Sequence, residues 1–405
     1  MDKFYSISRL LSVCLLFIQA GNVCSSEQAL NTEISARAGY YDNLFLVEGS
    51  SEGVSSLTIT PSLTGLIRDE NWETRLSARL NLNKYSGETL DSNDQFFSLS
   101  GNYQSQRNIF SLSIGHSLVS NLNSATEDIG IARKQIERKT QTVSPSYTRL
   151  LTERASLSVS LTYSDVGFLN SESTSFTPYV TQSGSVSLQY RLSLLGSVSF
   201  TFQTIDYESK DQQVTYLLFI SNVGVVHSFS ETLSINFQIG VSRQNTTSQL
   251  TQIIDFFGNT IEARQEIDAE NRGLVLNAGV TKSLETGSVN GTISRNNTTN
   301  SFGGLDETDS IVFSYEDKLS TIWSYDISSS FSSITSISSG SSTIDRDIFT
   351  LQIESRYSLA HNWSAKASYR YLLRRFKSDT SNDRAPHSNA IFIGVSYNFP
   401  PISTF

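Results

Sequence analysis

The segment that decides the fold lies just before the last six residues of the chain and reads Ile391-Phe392-Ile393-Gly394-Val395-Ser396-Tyr397-Asn398-Phe399. Apolar or aromatic side chains occupy its odd positions, and Gly394, Ser396 and Asn398 occupy even ones. Successive side chains of a β-strand point to opposite faces of the sheet, so one face of this strand is apolar and the other is small or polar. Such alternation is typical of the closing strand of a membrane-spanning β-barrel.

The same alternation recurs from residue 31 onward. Leu157, Val159 and Leu161 share one parity, for example, while serines fill the positions between them. Charged residues make up only 17% of the chain, which is too few to cover the solvent face of a soluble β-sandwich. The pattern therefore predicts strands that face hydrocarbon on one side and a hydrated interior on the other.

Short and long connections alternate between the predicted strands. Arg68–Asn71 and Thr152–Arg154 are short, whereas Asn121–Lys139 and Asn245–Asp268 are long. Outer-membrane barrels have short periplasmic turns and longer extracellular loops. We therefore predict an all-β, antiparallel transmembrane β-barrel in the bacterial outer membrane. The spacing gives about 18 strands from near Glu33 to Phe399, with 16 as the alternative and with both termini in the periplasm.

The first 26 residues have the pattern of a secretory signal peptide. Lys3 and Arg9 precede the apolar segment 10–18, and the small residues Cys24, Ser25 and Ser26 follow. We expect a signal peptide over residues 1–26 and a single barrel domain over residues 27–405. Both cysteines of the chain fall in the leader, so the mature barrel is predicted to have no disulfide or thiolate metal site.

Composition and spacing also bear on the kind of chemistry to expect. The formal net charge of −9 argues against nucleic acid as a partner, because phosphate binding needs a basic face. The four histidines, His116, His227, His361 and His387, fall on separate predicted hairpins and cannot form one metal centre. We predict no catalytic residues, no metal site and no cofactor, and hence a protein that is not an enzyme.

One group of side chains stands out as a candidate functional site, and it is basic. Seven side chains have the inward parity on strands next to the barrel closure, with Glu354 as the local carboxylate; they are Arg37, Arg75, Arg79, Arg356, Lys366, Arg370 and Arg374. In a confined aqueous channel with low-dielectric walls, such a strip would attract anions. The alternative is that these groups pair with acidic residues of loops that fold inward and only stiffen the wall.

Two long loops have unusual composition. Asn121–Lys139 is long and charged enough to fold inward as a constriction. Gln249–Asp268 carries Ile253, Ile254, Phe256 and Phe257, which is unusually apolar for an exposed loop. Burial against the barrel mouth and contact with a partner would both explain the second loop.

The residues that follow the leader carry a family resemblance. Ala38-Gly39-Tyr40-Tyr41-Asp42-Asn43-Leu44-Phe45, a Ser/Gly loop, and then Leu57-Thr58-Ile59-Thr60-Pro61-Ser62-Leu63 resemble the opening of the β-barrel porins that are encoded with bacterial exopolysaccharide synthesis and export systems. The resemblance implies a pore near the end of a polysaccharide secretion route. Its expected partners are outer-membrane lipid and lipopolysaccharide, the barrel assembly machinery, an exported acidic polysaccharide and periplasmic export components.

The sequence thus favours a pore for a hydrophilic solute, with exopolysaccharide export as the leading hypothesis. One alternative is a general or anion-preferring diffusion porin, and another is a structural or adhesion barrel with a plugged lumen. At the C-terminus we predict that Val395, Tyr397 and Phe399 form the assembly signal. Because Pro400–Phe405 follow, the sequence leaves open whether Phe399 or Phe405 serves as its terminal aromatic residue.

Overall fold

The computed structural model describes most of the predicted barrel domain. The residues described are 27–47, 49, 53–87, 90–120, 136–169, 176–210, 214–256, 259–300, 304–337, 345–377 and 385–404. The predicted signal peptide, most of the Asn121–Lys139 loop and Phe405 lie outside them. No helix in these ranges is long and apolar enough to cross a membrane.

Eighteen long strands and one short strand make up the described part of the chain. They are β1 (Glu27–Tyr41), β2 (Val54–Arg68), β3 (Trp72–Tyr85), β4 (Ser92–Gln104), β5 (Asn108–Ser120), β6 (Glu137–Leu150), β7 (Ala155–Leu169), β8 (Tyr179–Arg191), β9 (Gly196–Ser209), β10 (Val214–Ser228), β11 (Leu233–Phe256), β12 (Asn259–Ser283), β13 (Gly287–Thr299), β14 (Leu305–Lys318), β15 (Trp323–Ser336), β16 (Arg346–Ser358), β17 (Trp363–Phe376), β18 (His387–Asn398) and β19 (Ile402–Thr404).

Each long strand pairs antiparallel with the next, and the first pairs with the eighteenth. The closing register runs from Glu33 opposite Asn398 to Tyr41 opposite Ala390. Every long strand therefore has a neighbour on both sides, and the sheet has no open edge along its main length. The predicted antiparallel barrel of 18 strands is confirmed.

The two faces of the wall differ as the sequence predicts. On β18, Ile391 and Ile393 are 57% and 66% exposed, whereas Phe392 and Ser396 between and beyond them are 5% and 3% exposed. Similar rows of exposed leucine, isoleucine, valine and aromatic side chains cover the outside of the other strands. A continuous apolar surface of this extent is stable only against lipid, because water would not favour it.

The chain continues past the predicted last strand. Phe399 donates its backbone N–H to the carbonyl of Thr32 at 2.9 Å, and β19 then pairs with Gln28–Leu30 of β1. Between them lie Pro400 and Pro401, which have no N–H to donate and so interrupt the ladder. The tail extends the seam toward the periplasmic end, and β1 starts six residues earlier than the predicted Glu33.

The expected loop over Asn245–Asp268 is wrong, because these residues extend β11 and β12. The two strands have 24 and 25 residues and pair with each other up to Phe256 opposite Asn259. β10 pairs with β11 only as far as Ser248, so the remainder forms a two-stranded ribbon beyond the barrel wall. The physical reason is the high content of threonine, isoleucine and phenylalanine, which favour extended strands.

Candidate functional site in the barrel lumen

The inward face of β6 to β9 is a wall of hydroxyl groups. Side chains of neighbouring strands hydrogen-bond across the ladder, as in Ser160 with Ser185 at 2.7 Å and Ser187 with Thr201 at 2.9 Å. The hydroxyl of Thr148 lies 2.9 Å from that of Ser158 in the same way. Serine and threonine thus line this part of the lumen, which is the lining that the sequence predicted.

The opposite wall carries four inward cations. Arg37 on β1 and Lys366 on β17 both pair in register with Gly394, and Arg79 lies on β3 and Arg370 on β17. Among the described residues, none of the four cations makes an ion pair within 4.0 Å. A cavity of about 340 Å³ lies in front of Arg37, Arg79 and Lys366, and Glu354 is its one acidic lining residue. The other lining residues are serine, threonine, asparagine, alanine, glycine, valine and phenylalanine, and Arg370 lies outside this lining on the same face of β17 as Lys366.

Aromatic rings hold these arginines against the wall. The guanidinium carbon of Arg79 lies 4.2 Å from the ring centroid of Phe96, and that of Arg370 lies 5.7 Å from the centroids of both Tyr41 and Phe392. The guanidinium carbon of Arg37 lies 4.7 Å from the same Phe392 centroid. A ring attracts a cation without neutralising its charge, so the wall keeps its positive potential.

Two of the predicted strip residues have a carboxylate within ion-pair distance on their own strand, and for Arg75 that carboxylate, Glu73, is shared with Arg68, which lies 2.6 Å from it. Arg75 lies 3.4 Å from Glu73, and Arg356 lies 3.4 Å from Glu354. In both pairs the two residues are two positions apart, so they share a face of the strand. The pairing alternative raised by the sequence therefore applies to these two arginines, although their partners lie on the strands and not on loops.

Arg374 differs from the rest of the strip because protein encloses it. It has the inward parity that the sequence predicted, but it is only 3% exposed and lies near the outer end of β17. A side chain this buried cannot line an aqueous channel. Of the seven predicted residues, the structure brings Arg37, Arg79, Lys366 and Arg370 together as the uncompensated wall.

An apolar cluster near the outer ends of β7 to β10 was not predicted. Tyr207 and Leu218 have inward parity yet are fully buried, and the ring of Tyr207 stacks on Tyr216 with centroids 4.6 Å apart. Ile136 and Phe176, at the bases of two long connections, pack into the same cluster. The sequence held a signal for it: residues 216–220 of β10 are apolar on both parities, which indicates a strand buried on both faces.

Two smaller clusters lie at the outer end on the other side of the barrel. Leu46 packs with Ile348 and Leu372, and Tyr41 packs with Phe392 and Leu44. Leu44 and Leu46 belong to the connection between β1 and β2. Inward-facing side chains are thus buried at the outer end of strands on opposite sides of the barrel, which indicates that packed protein narrows the outer end of the lumen. Inward groups nearer the periplasmic end, such as Arg75, stay exposed.

The predicted assembly signal lies on the outer surface of the barrel. Val395 and Phe399 are exposed, and the Tyr397 ring lies 4.9 Å from the rings of both Trp363 and Phe399. These rings form an aromatic patch at the periplasmic end of the seam, which suits the membrane interface. Its role in assembly stays a prediction.

Together, the closed 18-stranded barrel, its apolar outer belt and its polar lumen define an outer-membrane β-barrel protein of porin-like architecture, located in the bacterial outer membrane. No protein-family model matches the chain, and no curated protein matches it.

Several solved structures resemble the chain over most of its length at low sequence identity. Pseudomonas aeruginosa OpdQ has a TM-score of 0.48 at 10% identity, covering 94% of this chain and 100% of that one. Pseudomonas aeruginosa OccK2 (OpdF) has 0.47 at 10% identity, with 92% and 98% covered, and the ferric citrate transporter FecA has 0.46 at 8% identity, with 91% and 79% covered. Overlap at this level transfers no function, and the class assignment rests on the barrel itself.

Proposed function

We propose that this protein is a pore for small hydrophilic anions, with a cationic wall below a narrowed outer end. The observation that carries the proposal is the group formed by Arg37, Arg79, Lys366 and Arg370. None of these cations forms an ion pair within 4.0 Å among the described residues, and the one carboxylate in the cavity, Glu354, pairs with Arg356. Hydroxyl and amide groups beside them offer hydrogen bonds to the hydrated solute.

The charge of this wall acts locally. The chain as a whole has a formal net charge of −9, so its bulk charge would repel anions. Inside a bore with low-dielectric walls, however, field lines are focused, and the nearby fixed charges decide which ions accumulate. Three cations line the cavity that also contains Glu354, and Arg370 adds a fourth on the same face of β17, so together they give the lumen a positive potential at this level.

A narrower proposal is export of an acidic exopolysaccharide. The resemblance of residues 38–63 to exopolysaccharide-associated porins supports it, and the same four cations would suit an acidic polymer. In that case the barrel assembly machinery would insert the protein, and periplasmic export components would deliver the polymer. The packed outer end favours small solutes over a polymer. It is also compatible with the third hypothesis, a structural or adhesion barrel with a plugged lumen, which the test below distinguishes.

The test is ion selectivity of the purified protein in planar bilayers. We expect an open channel that prefers chloride over potassium, and a variant with Arg37→Gln, Arg79→Gln, Lys366→Gln and Arg370→Gln that loses the preference. The matched control is Arg149→Gln with Lys282→Gln, which removes two exposed cations from the outer surface at the periplasmic end. The control should keep the preference of the unaltered protein.

Three results would separate the alternatives. Equal selectivity of the quadruple variant and the unaltered protein would overturn the anion proposal. Block of the current by an acidic polysaccharide, and not by a neutral one of equal length, would favour export. If the folded barrel shows no conductance, the hypothesis of a structural or adhesion barrel with a plugged lumen is favoured.

A further inference from the structure

On the outer surface of β11 to β16, each strand changes from an apolar to a charged or polar side chain between two successive outward-facing residues. The pairs of successive outward residues are Val241 and Arg243, Leu274 and Arg272, Ile293 and Arg295, Ile311 and Asp309, Phe331 and Ser333, and Phe349 and Asp347. In each pair the polar residue is the one nearer the outer end. A change at a similar position on six neighbouring strands marks the level where hydrocarbon ends and headgroups begin.

At this level, two arginines face each other directly. Arg243 of β11 is the register partner of Arg272 of β12. Like charges directly opposite each other in a ladder are destabilising. Glu270 compensates in part, because its carboxylate accepts a hydrogen bond from Arg243 at 3.1 Å and from Arg272 at 2.9 Å. One carboxylate shared between two guanidiniums leaves one net positive charge, and the two arginine side chains are 55% and 76% exposed.

The neighbouring cations at the same level of the outer surface, Arg295 and Lys377, each pair with a carboxylate on a neighbouring strand. Arg295 forms two hydrogen bonds to Asp309, at 2.5 and 2.6 Å, and Lys377 lies 2.9 Å from Asp347. Further out on the face of Arg272, Asp268 accepts a hydrogen bond from Thr247 at 2.8 Å. The two arginines that share Glu270 thus lie next to the hydrocarbon boundary. Two further acidic residues on the same face of β12, Asp268 and Glu266, lie two and three outward-facing steps beyond them.

We propose that Arg243 and Arg272 bind a phosphate group of a phosphorylated glycolipid in the outer leaflet. Exposed guanidiniums present paired N–H donors that match phosphate oxygens. Directly below them, Val241 and Leu274 are exposed on the same outward face, where acyl chains would lie. This arrangement fits a ligand with a phosphate close to acyl chains, because a free phosphate would contact the two arginines but not Val241 and Leu274.

The test compares lipid retention by barrels purified in detergent. Native mass spectrometry counts the lipopolysaccharide molecules bound per folded barrel for the unaltered protein and for Arg243→Gln with Arg272→Gln. Each surface cation contributes roughly fivefold in affinity for an anionic lipid, so we expect at least a tenfold loss for the double variant. The control Arg149→Gln with Lys282→Gln removes the same charge from the same outer surface at the periplasmic end, and it should retain lipid normally.

A second variant and two further ligands sharpen the result. Glu270→Gln removes the shared carboxylate and should increase retention, a direction that loss of structure would not produce. Dephosphorylated lipid A should bind the unaltered protein as weakly as phosphorylated lipid A binds the double variant. Equal retention by the double variant and the control would overturn the proposal, as would displacement of the lipid by an equal concentration of inorganic phosphate. Ion selectivity should not change in any of these variants, so this test is independent of the pore proposal.

Discussion

The guanidinium carbon of Arg37 lies 4.7 Å from the ring centroid of Phe392, on the strand that closes the barrel against its own. Gly39 makes this contact feasible, because a Cβ at that position would lie 2.5 Å from the Phe392 ring. The seam between the first and eighteenth strands therefore carries the ring against which Arg37 and Arg370 pack.

Replacement of Gly39 should disturb the seam. In Gly39→Ala the new methyl group would collide with Phe392, and overpacking of this kind costs about 1–3 kcal/mol in the free energy of unfolding. Urea unfolding in detergent, followed by tryptophan fluorescence, measures the loss. The matched control is Gly115→Ala on β5, where the nearest atom to the added Cβ is 4.0 Å away. Equal stability of the two variants would contradict the assigned close approach.

Tyr207 should help to narrow the outer end of the lumen. Tyr207→Ala removes a fully buried ring from the apolar cluster, which we expect to cost about 3–5 kcal/mol and to increase single-channel conductance. Tyr190→Ala is the control, since that tyrosine is exposed on the outer surface and should leave conductance unchanged. A folded Tyr207→Ala barrel with unchanged conductance would show that the constriction lies elsewhere.

Arg370 and Arg374 should respond differently to charge reversal although they lie on the same strand face. Arg370 is partly exposed, so the Arg370→Glu variant should fold, and its channel should prefer anions less than that of the unaltered protein. Arg374→Glu places an opposite charge in an enclosed site and should cost about 3–5 kcal/mol, which lowers the yield of folded barrel. Heat-modifiable electrophoretic mobility reports the folded fraction. Folding of Arg374→Glu at the normal yield would mean that this side chain lies in the aqueous channel.

The C-terminal aromatic residue that matters for assembly should be Phe399. Its ring packs on Tyr397 at the periplasmic end of the seam, so Phe399→Ala should reduce the amount of barrel inserted in the outer membrane severalfold. Phe405→Ala is the matched control at the end of the tail. Quantitative immunoblotting of outer-membrane fractions gives the comparison. Loss of insertion with Phe405→Ala, and not with Phe399→Ala, would reverse the assignment.

The fold could be predicted from local pattern because a strand shows its two faces in every second residue. The alternation at residues 391–399 and its repeats gave the class of fold, the strand number and the inward parity of Arg37 and Arg370. The prediction failed at residues 245–268, where the spacing between strand patterns suggested a long loop. There the two segments pair with each other, and a sequence pattern does not show how far a hairpin continues beyond the wall.

The sequence by itself determined which side chains face lipid and which face the lumen, because parity along a strand is a local property of the backbone. The carboxylates next to Arg75 and Arg356 are also local, because each lies two positions away on the same strand face. Only the tertiary structure decided which inward cations lie together and which aromatic rings they contact, since Arg37 and Phe392 lie near opposite ends of the chain and meet only when the barrel closes. Burial of Arg374 and of Tyr207 likewise depends on packing between segments that are distant in sequence, which alternation alone does not encode.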